Sequence, residues 1–142
     1  MTDSILSILK TYLQGYSELK ENAPIWVDFL GDTPTQYSIV PLPGARIIEQ
    51  YVDDSTLREF PFAFQSMEYT ADETERIATS EFYEAFADWL EEQSKNETLP
   101  TMNTNQEPVS IEAVSWAYWL EKGKSDTGIY QINCKLTYGQ GA

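Results

Sequence analysis

A chain of 142 residues, 42% hydrophobic and carrying four Trp, nine Tyr and six Phe, fits a single domain over residues 1–142. A domain of that size buries roughly 68–70% of the surface its unfolded chain exposes, enough for a core without staples. The 23 acids outnumber nine bases, giving a net charge of −14, a surface that repels phosphate and disfavours both nucleic acid and anionic membranes. Histidine is absent and there is one cysteine, which excludes His-activated nucleophiles, His acid–base chemistry, the common zinc centres and thiolate clusters.

Residues 3–20 read as an amphipathic helix. Ile5, Leu6, Ile8, Leu9, Tyr12, Leu13 and Tyr16 recur on one face, Asp3 or Ser4 can cap the start, and Asn22-Ala23-Pro24 ends it. Met1-Thr2-Asp3-Ser4 lacks the basic start of a signal peptide, and no run of about 18 apolar residues exists to span a membrane.

Four strands follow. Ile25 to Leu30 is the first, and Gly31-Asp32-Thr33-Pro34 supplies a turn. Gln36 to Leu42 is the second, which Pro41 and Pro43 make an edge or bring to an end. Arg46 to Val52 is the third, stopped by Asp53-Asp54-Ser55. Leu57 to Tyr69 is the fourth, with Phe60, Phe62 and Phe64 on one face and Pro61 marking a bulge or an edge.

Thr70 and Glu73 have the spacing of a capping box, opening a helix that runs to about Gln93. Ala78, Phe82, Ala85, Phe86, Trp89 and Leu90 form its expected buried stripe. Ten acids lie in segment 68–97, mainly opposite that stripe, and charge runs of this kind usually face water. Residues 94–108 are polar, contain two prolines, and read as a long flexible loop.

The last section reads as a hairpin. Val109 to Leu120 is one arm, with Val114, Trp116, Tyr118 and Leu120 on one face. Residues 121–128 connect it to Ile129–Tyr138, where Tyr130, Ile132, Cys134, Leu136 and Tyr138 alternate with Gln131, Asn133, Lys135 and Thr137. A lone cysteine in such a pattern reads as a buried reduced thiol. The order α-β-β-β-β-α-β-β predicts an α+β domain, a mostly antiparallel sheet of about six strands with two main helices.

No chemical motif stands out. The P-loop and G-x-G-x-x-G patterns are missing. Asp53-Asp54 and Asp28…Asp32 offer oxygen ligands for a hard cation but fit turns better. A carboxylate-only enzyme would need an acidic pair converging in a pocket, with one pKa raised. The Trp116-Ala117-Tyr118-Trp119 cluster lacks adjacent bases for nucleic-acid stacking, and strand alternation would put Trp116 and Trp119 on opposite faces. The residues nominate no catalytic, cofactor-binding or metal-binding side chain.

The chain resembles the small minor-capsid and tail-terminator-like proteins of long-tailed phages and prophages of Gram-positive bacteria. The similarity lies in the SILSILKTYL helix, the GDTPTQYSIVPLPGARIIEQYVDD segment, the REFPFAFQSMEY strand, the SEFYEAFADWLEEQ helix and the closing GIYQINCKLTY strand, together about residues 5–138. The resemblance implies a virion structural protein, assembled in the host cytoplasm as a homo-hexameric ring at the head-proximal end of the tail. There it would stop growth of the tail tube and meet the head–tail connector, with DNA passing through unbound. A head-closure or neck adaptor would look much the same. The net charge and the acidic helix also admit an inhibitor that mimics DNA and blocks a basic host enzyme.

Overall fold

The computed structural model describes residues 3–19, 23–31 and 34–142. Two helices and seven strands appear in the order α1 (Ile5–Leu13), β1 (Ile25–Val27), β2 (Gln36–Pro41), β3 (Ile47–Gln50), β4 (Thr56–Tyr69), α2 (Glu73–Lys95), β5 (Gln106–Ala113), β6 (Tyr118–Lys122) and β7 (Thr127–Gln140). The α+β reading holds, with one strand more than expected.

β4 and β7 are the spine. They pair antiparallel over 14 residues each, from Thr56↔Gln140 to Tyr69↔Thr127. β2 and β3 share the far side of β4, β2 beside its end and β3 beside its start. β5 and β6 share the far side of β7, β6 beside its start and β5 beside its end. β1 lies outside β2 and runs parallel to it, the one departure from antiparallel pairing.

Both helices pack on one face of this sheet. That face carries Phe62 and Phe64 of β4, Ile132, Cys134 and Leu136 of β7, Ile39 of β2 and Ile111 of β5, all essentially without solvent exposure. α1 contributes Leu9 and Leu13, and α2 contributes Tyr83, Phe86 and Leu90. Each such side chain contributes roughly 1.5–3 kcal/mol by leaving water. The alternation read along β7 is therefore the alternation of the core, and Cys134 is buried within it.

Several local expectations are corrected. α1 stops at Leu13 because Gly15 follows its C-cap, Gln14; the Ser4 hydroxyl accepts the Ser7 N–H at 3.1 Å and caps the start. Asn22, expected to help end that helix, and Asp32 and Thr33 of the expected turn lie outside the described residues. β2 sits between β1 and β4, so Pro41 ends a strand and does not mark an edge. Pro61 lies in the central strand with unbroken register to Lys135. Its missing N–H is tolerated because it faces the interval between β2 and β3, where its carbonyl accepts the Leu42 N–H at 3.0 Å.

α2 is capped by Asp72, whose carboxylate accepts the Glu75 N–H at 2.9 Å, and the Thr70–Glu73 box does not form. Thr70 is instead tied to the β6–β7 turn, its N–H donating to the Asp126 carbonyl at 2.8 Å. The buried stripe of α2 is Thr79, Tyr83, Phe86 and Leu90, with Phe82 and Trp89 flanking it, while Ala78 and Ala85 face solvent. The helix is rotated toward its larger rings, since burying Tyr83 removes more apolar area than burying Ala78 or Ala85.

The segment expected to be a loop from 94 to 108 is shorter. Ser94 and Lys95 complete α2, and Gln106 begins β5. Between them Leu99 and Met102 lie against the core, and the Tyr12 hydroxyl donates to the Thr98 carbonyl at 2.7 Å. The arm expected over Val109–Leu120 is two strands, β5 and β6, separated at Val114–Ala117. The β6–β7 turn places Ser125 and Asp126 at φ 49° and 58°, as a type I′ hairpin turn requires.

Candidate assembly surfaces

Exposed apolar side chains gather at the β1 end of the sheet, with Trp26, Val27 and Phe29, and at two corners where a whole strand is exposed. At one, all four residues of β3 are exposed, and Ile47, Ile48, Tyr51 and the fully exposed Val52 cluster around its hairpin. At the other, all five residues of β6 are exposed, with Trp116 and Val114 in the preceding connection. Neither strand is covered by a helix, because α1 and α2 lie over β1, β2, β4 and β5. Val114, Trp116, Tyr118 and Leu120, expected on one face, are thus all exposed and do not form core.

Edge strands with unpaired amides invite strand addition, and bulges are a common defence. The pairings of β3, β5 and β6 each contain a register shift, leaving Ile48, Val109 and Leu120 as the extra residues. All three are exposed. The edges therefore offer protruding side chains and a broken backbone ladder, which suits side-chain docking better than sheet extension.

A groove lies beside the second corner, between α2 and residues 115–119. One part, of ≈ 350 Å³, is bordered by Tyr83, Glu84, Ala87, Trp116, Trp119 and Tyr130. An adjoining part, of ≈ 510 Å³, shares Glu84, Ala87, Ser115 and Trp116 and adds Asp88, Glu91 and Glu112. Trp119 stacks on Tyr130 at 6.0 Å and Tyr130 on Tyr83 at 6.4 Å, a run of rings from the surface into the core. Gly128 permits this: a Cβ there would meet the Trp119 indole nitrogen at 2.6 Å. At the inner end the Tyr83 hydroxyl lies 2.6 Å from Ser66 Oγ, and burial pushes its pKa well above the usual tyrosine value. Trp116 and Trp119 border one groove because the chain leaves the strand between Ala113 and Tyr118, so the alternation argument that separated them does not apply.

The sheet face away from the helices carries a polar network. Gln65 Nε2 donates to Gln131 Oε1 at 2.6 Å, and Gln131 Nε2 donates to the Tyr118 hydroxyl at 2.8 Å and to Asn133 Oδ1 at 3.0 Å. Lys135 bridges Glu59 and Glu112 at 3.4 and 3.5 Å. The buried hydroxyl of Ser38, also on this face, finds no hydrogen-bond partner among the described residues.

The acidic positions fall mostly in turns and on the outer side of α2. Asp53 accepts hydrogen bonds from the Ser55 N–H and hydroxyl at 3.0 and 2.6 Å, which hold its carboxyl below the usual range. Asp28 sits at φ 55° just after β1. Glu18, Glu68 and Glu75 border one shallow cleft, and Glu75 is shifted upward by partial desolvation and by neighbouring Asp72. Among the described residues, no group of three or more His, Cys, Asp or Glu side chains converges as metal ligands would, and no helix is long and apolar enough to cross a membrane.

Sequence reasoning missed both corners. It assigned Arg46–Val52 to a strand without asking what would cover it, and placed Trp116 and Trp119 on opposite faces of one arm. The aromatic share, 13% of the chain, exceeds what a small core usually needs and points to an interface without placing it. Compared with known protein families and with curated proteins, the chain matches none, so its functional reading rests on the residues and surfaces described above.

Proposed function

We propose that this protein is a non-catalytic structural subunit that closes with copies of itself into a ring of about six, at the head-proximal end of a phage tail. In this reading it stops the tail tube and presents a surface to the head connector. The observation that carries the reading is the pair of exposed apolar corners at opposite ends of one sheet. A monomer has no use for Ile47, Ile48, Val52, Trp116 and Leu120 in water. Two different patches at opposite ends of one subunit favour a head-to-tail contact, which closes into a ring when the rotation allows. The acidic balance fits a channel wall past which DNA slides without sticking. The resemblance in helix and strand order to tail-terminator-like proteins supports the place in the virion, and a neck adaptor would use the same surfaces.

The test is capture with the purified protein as bait, against tail-tube protein and against DNA-handling enzymes of the host. Retention of tube protein supports the reading. Retention of a basic host enzyme in competition with DNA would replace it with the inhibitor reading.

A further inference from the structure

We propose that Arg46 and the adjoining Ile47–Ile48 of one copy seat in the groove between α2 and residues 114–119 of the next copy. The inference rests on the ring reading and names the interface that reading leaves open.

The groove has two kinds of wall. One end is bordered by the rings of Trp116, Trp119 and Tyr130, and the other is acidic. Lys95 and Lys135 approach Glu91 and Glu112 within 3.5 Å, whereas Glu84 and Asp88 form no ion pair among the described residues. No base lines either part. Aromatic faces next to carboxylates suit a guanidinium, which stacks on rings and donates paired hydrogen bonds to a carboxylate. Arg therefore fits better than Lys, and apolar side chains beside it would fill the aromatic end.

The chain carries such a key. Arg46 is exposed and enters β3 directly before two exposed isoleucines, and it forms no ion pair among the described residues. The bulge at Ile48 interrupts the pairing of β3 with β4. Asp53 and Asp54 lie at the other end of the hairpin, away from Arg46.

Key and groove cannot meet within one chain. β3 pairs with the start of β4, and β6 pairs with the start of β7, which is opposite the end of β4. Ile47 lies beside Arg58 and Trp119 beside Tyr130, which faces Ser66; at about 3.3 Å per residue the two corners are roughly 26 Å apart along the strands and on opposite sides of the spine. The contact is head-to-tail, so each copy gives one key and offers one groove.

The test uses charge reversal and mixing in the full chain. Arg46→Glu and Glu84→Arg alter exposed side chains, so each variant should keep the wild-type melting temperature. Each alone should raise the concentration needed for assembly about tenfold or more, since a like-charge contact costs at least 1.4 kcal/mol. An equimolar mixture of the two variants should recover assembly, because the altered key meets the altered groove and the native key meets the native groove. Trp116→Ala should weaken assembly without being rescued by either partner. If the wild type assembles and both reversals assemble equally well, or if mixing rescues nothing, this interface is wrong while the ring reading stands. A wild type that stays monomeric throughout overturns both.

Discussion

Replacing Phe86 with Ala tests the packing of α2 on the sheet. The Phe86 ring is fully buried, stacks on Phe64 at 4.6 Å and 24°, meets Tyr16 edge-on at 5.5 Å, and lies 6.2 Å from Trp89. Truncating a buried Phe costs about 3–5 kcal/mol, the larger values arising where neighbours cannot collapse into the space. Here Phe64 is held by the central strand and Leu90 by the same helix, so relaxation is limited. Loss of close ring pairs adds to the transfer cost, at about 0.5–1.5 kcal/mol for each good pair. The expected loss is about 4 kcal/mol, which for a domain near this size corresponds to a melting shift of roughly 10 °C. Urea unfolding at one fixed protein concentration, with an unchanged m-value, measures it. Ala85→Ser, one position earlier and exposed, should stay within about 0.5 kcal/mol. A Phe86→Ala cost below about 1 kcal/mol, or a comparable cost at Ala85, would mean the helix faces the sheet by another side.

Three further predictions rest on single groups. Asp72→Ala should destabilise by about 1 kcal/mol through loss of the Asp72–Glu75 cap, measured by the same urea titration; no loss would return the cap to Thr70. Ser38→Ala should be neutral or raise stability by up to about 1 kcal/mol, because it removes a buried hydroxyl that has no partner among the described residues; a clear loss would show that the hydroxyl is satisfied. Alkaline pH should unfold the protein. Burial pushes Tyr12 up to about 12, and burial, then the negative groups near it, push Tyr16 up to about 12, from an ordinary value of 10.0; Tyr83 rises well above it. Below pH 10 all three phenols are neutral in both states. Above it the unfolded chain releases protons that the folded chain keeps, so stability falls from about pH 10 upward and through 12. Tyr83→Phe should flatten that fall, and a stability that is level or rising over this range would contradict the burial.

Much of the fold was legible because it rests on local patterns. The period-two run through Tyr130–Tyr138 pointed to β7 and its inward face, and the apolar spacing of Ile5–Leu13 pointed to α1. Misreadings occurred where tertiary packing chooses between similar local options. Thr70 and Asp72 are both good caps, and the choice fell to Asp72 once Thr70 was drawn to the Asp126 carbonyl. The stripe of α2 turned to bury Tyr83, whose hydroxyl pairs with that of Ser66 on β4, a partner the helix sequence does not reveal. Pro61 looked like an edge residue because sequence does not reveal the interval between β2 and β3 that accommodates it. The groove was the least legible part. It depends on an interruption of the strand at Val114–Ala117 that the apolar run through Val114, Trp116 and Tyr118 concealed, and on α2 supplying the acidic wall from another region.

The central claim is self-assembly through the two exposed corners, and light scattering across a concentration series at low and moderate salt addresses it most directly. The account predicts a discrete closed species of about six subunits, each of 16.2 kDa, that dissociates on dilution. Salt should weaken it in part, because the contact combines apolar burial with an exposed ion pair. A mass equal to one subunit at every concentration and salt would contradict the account.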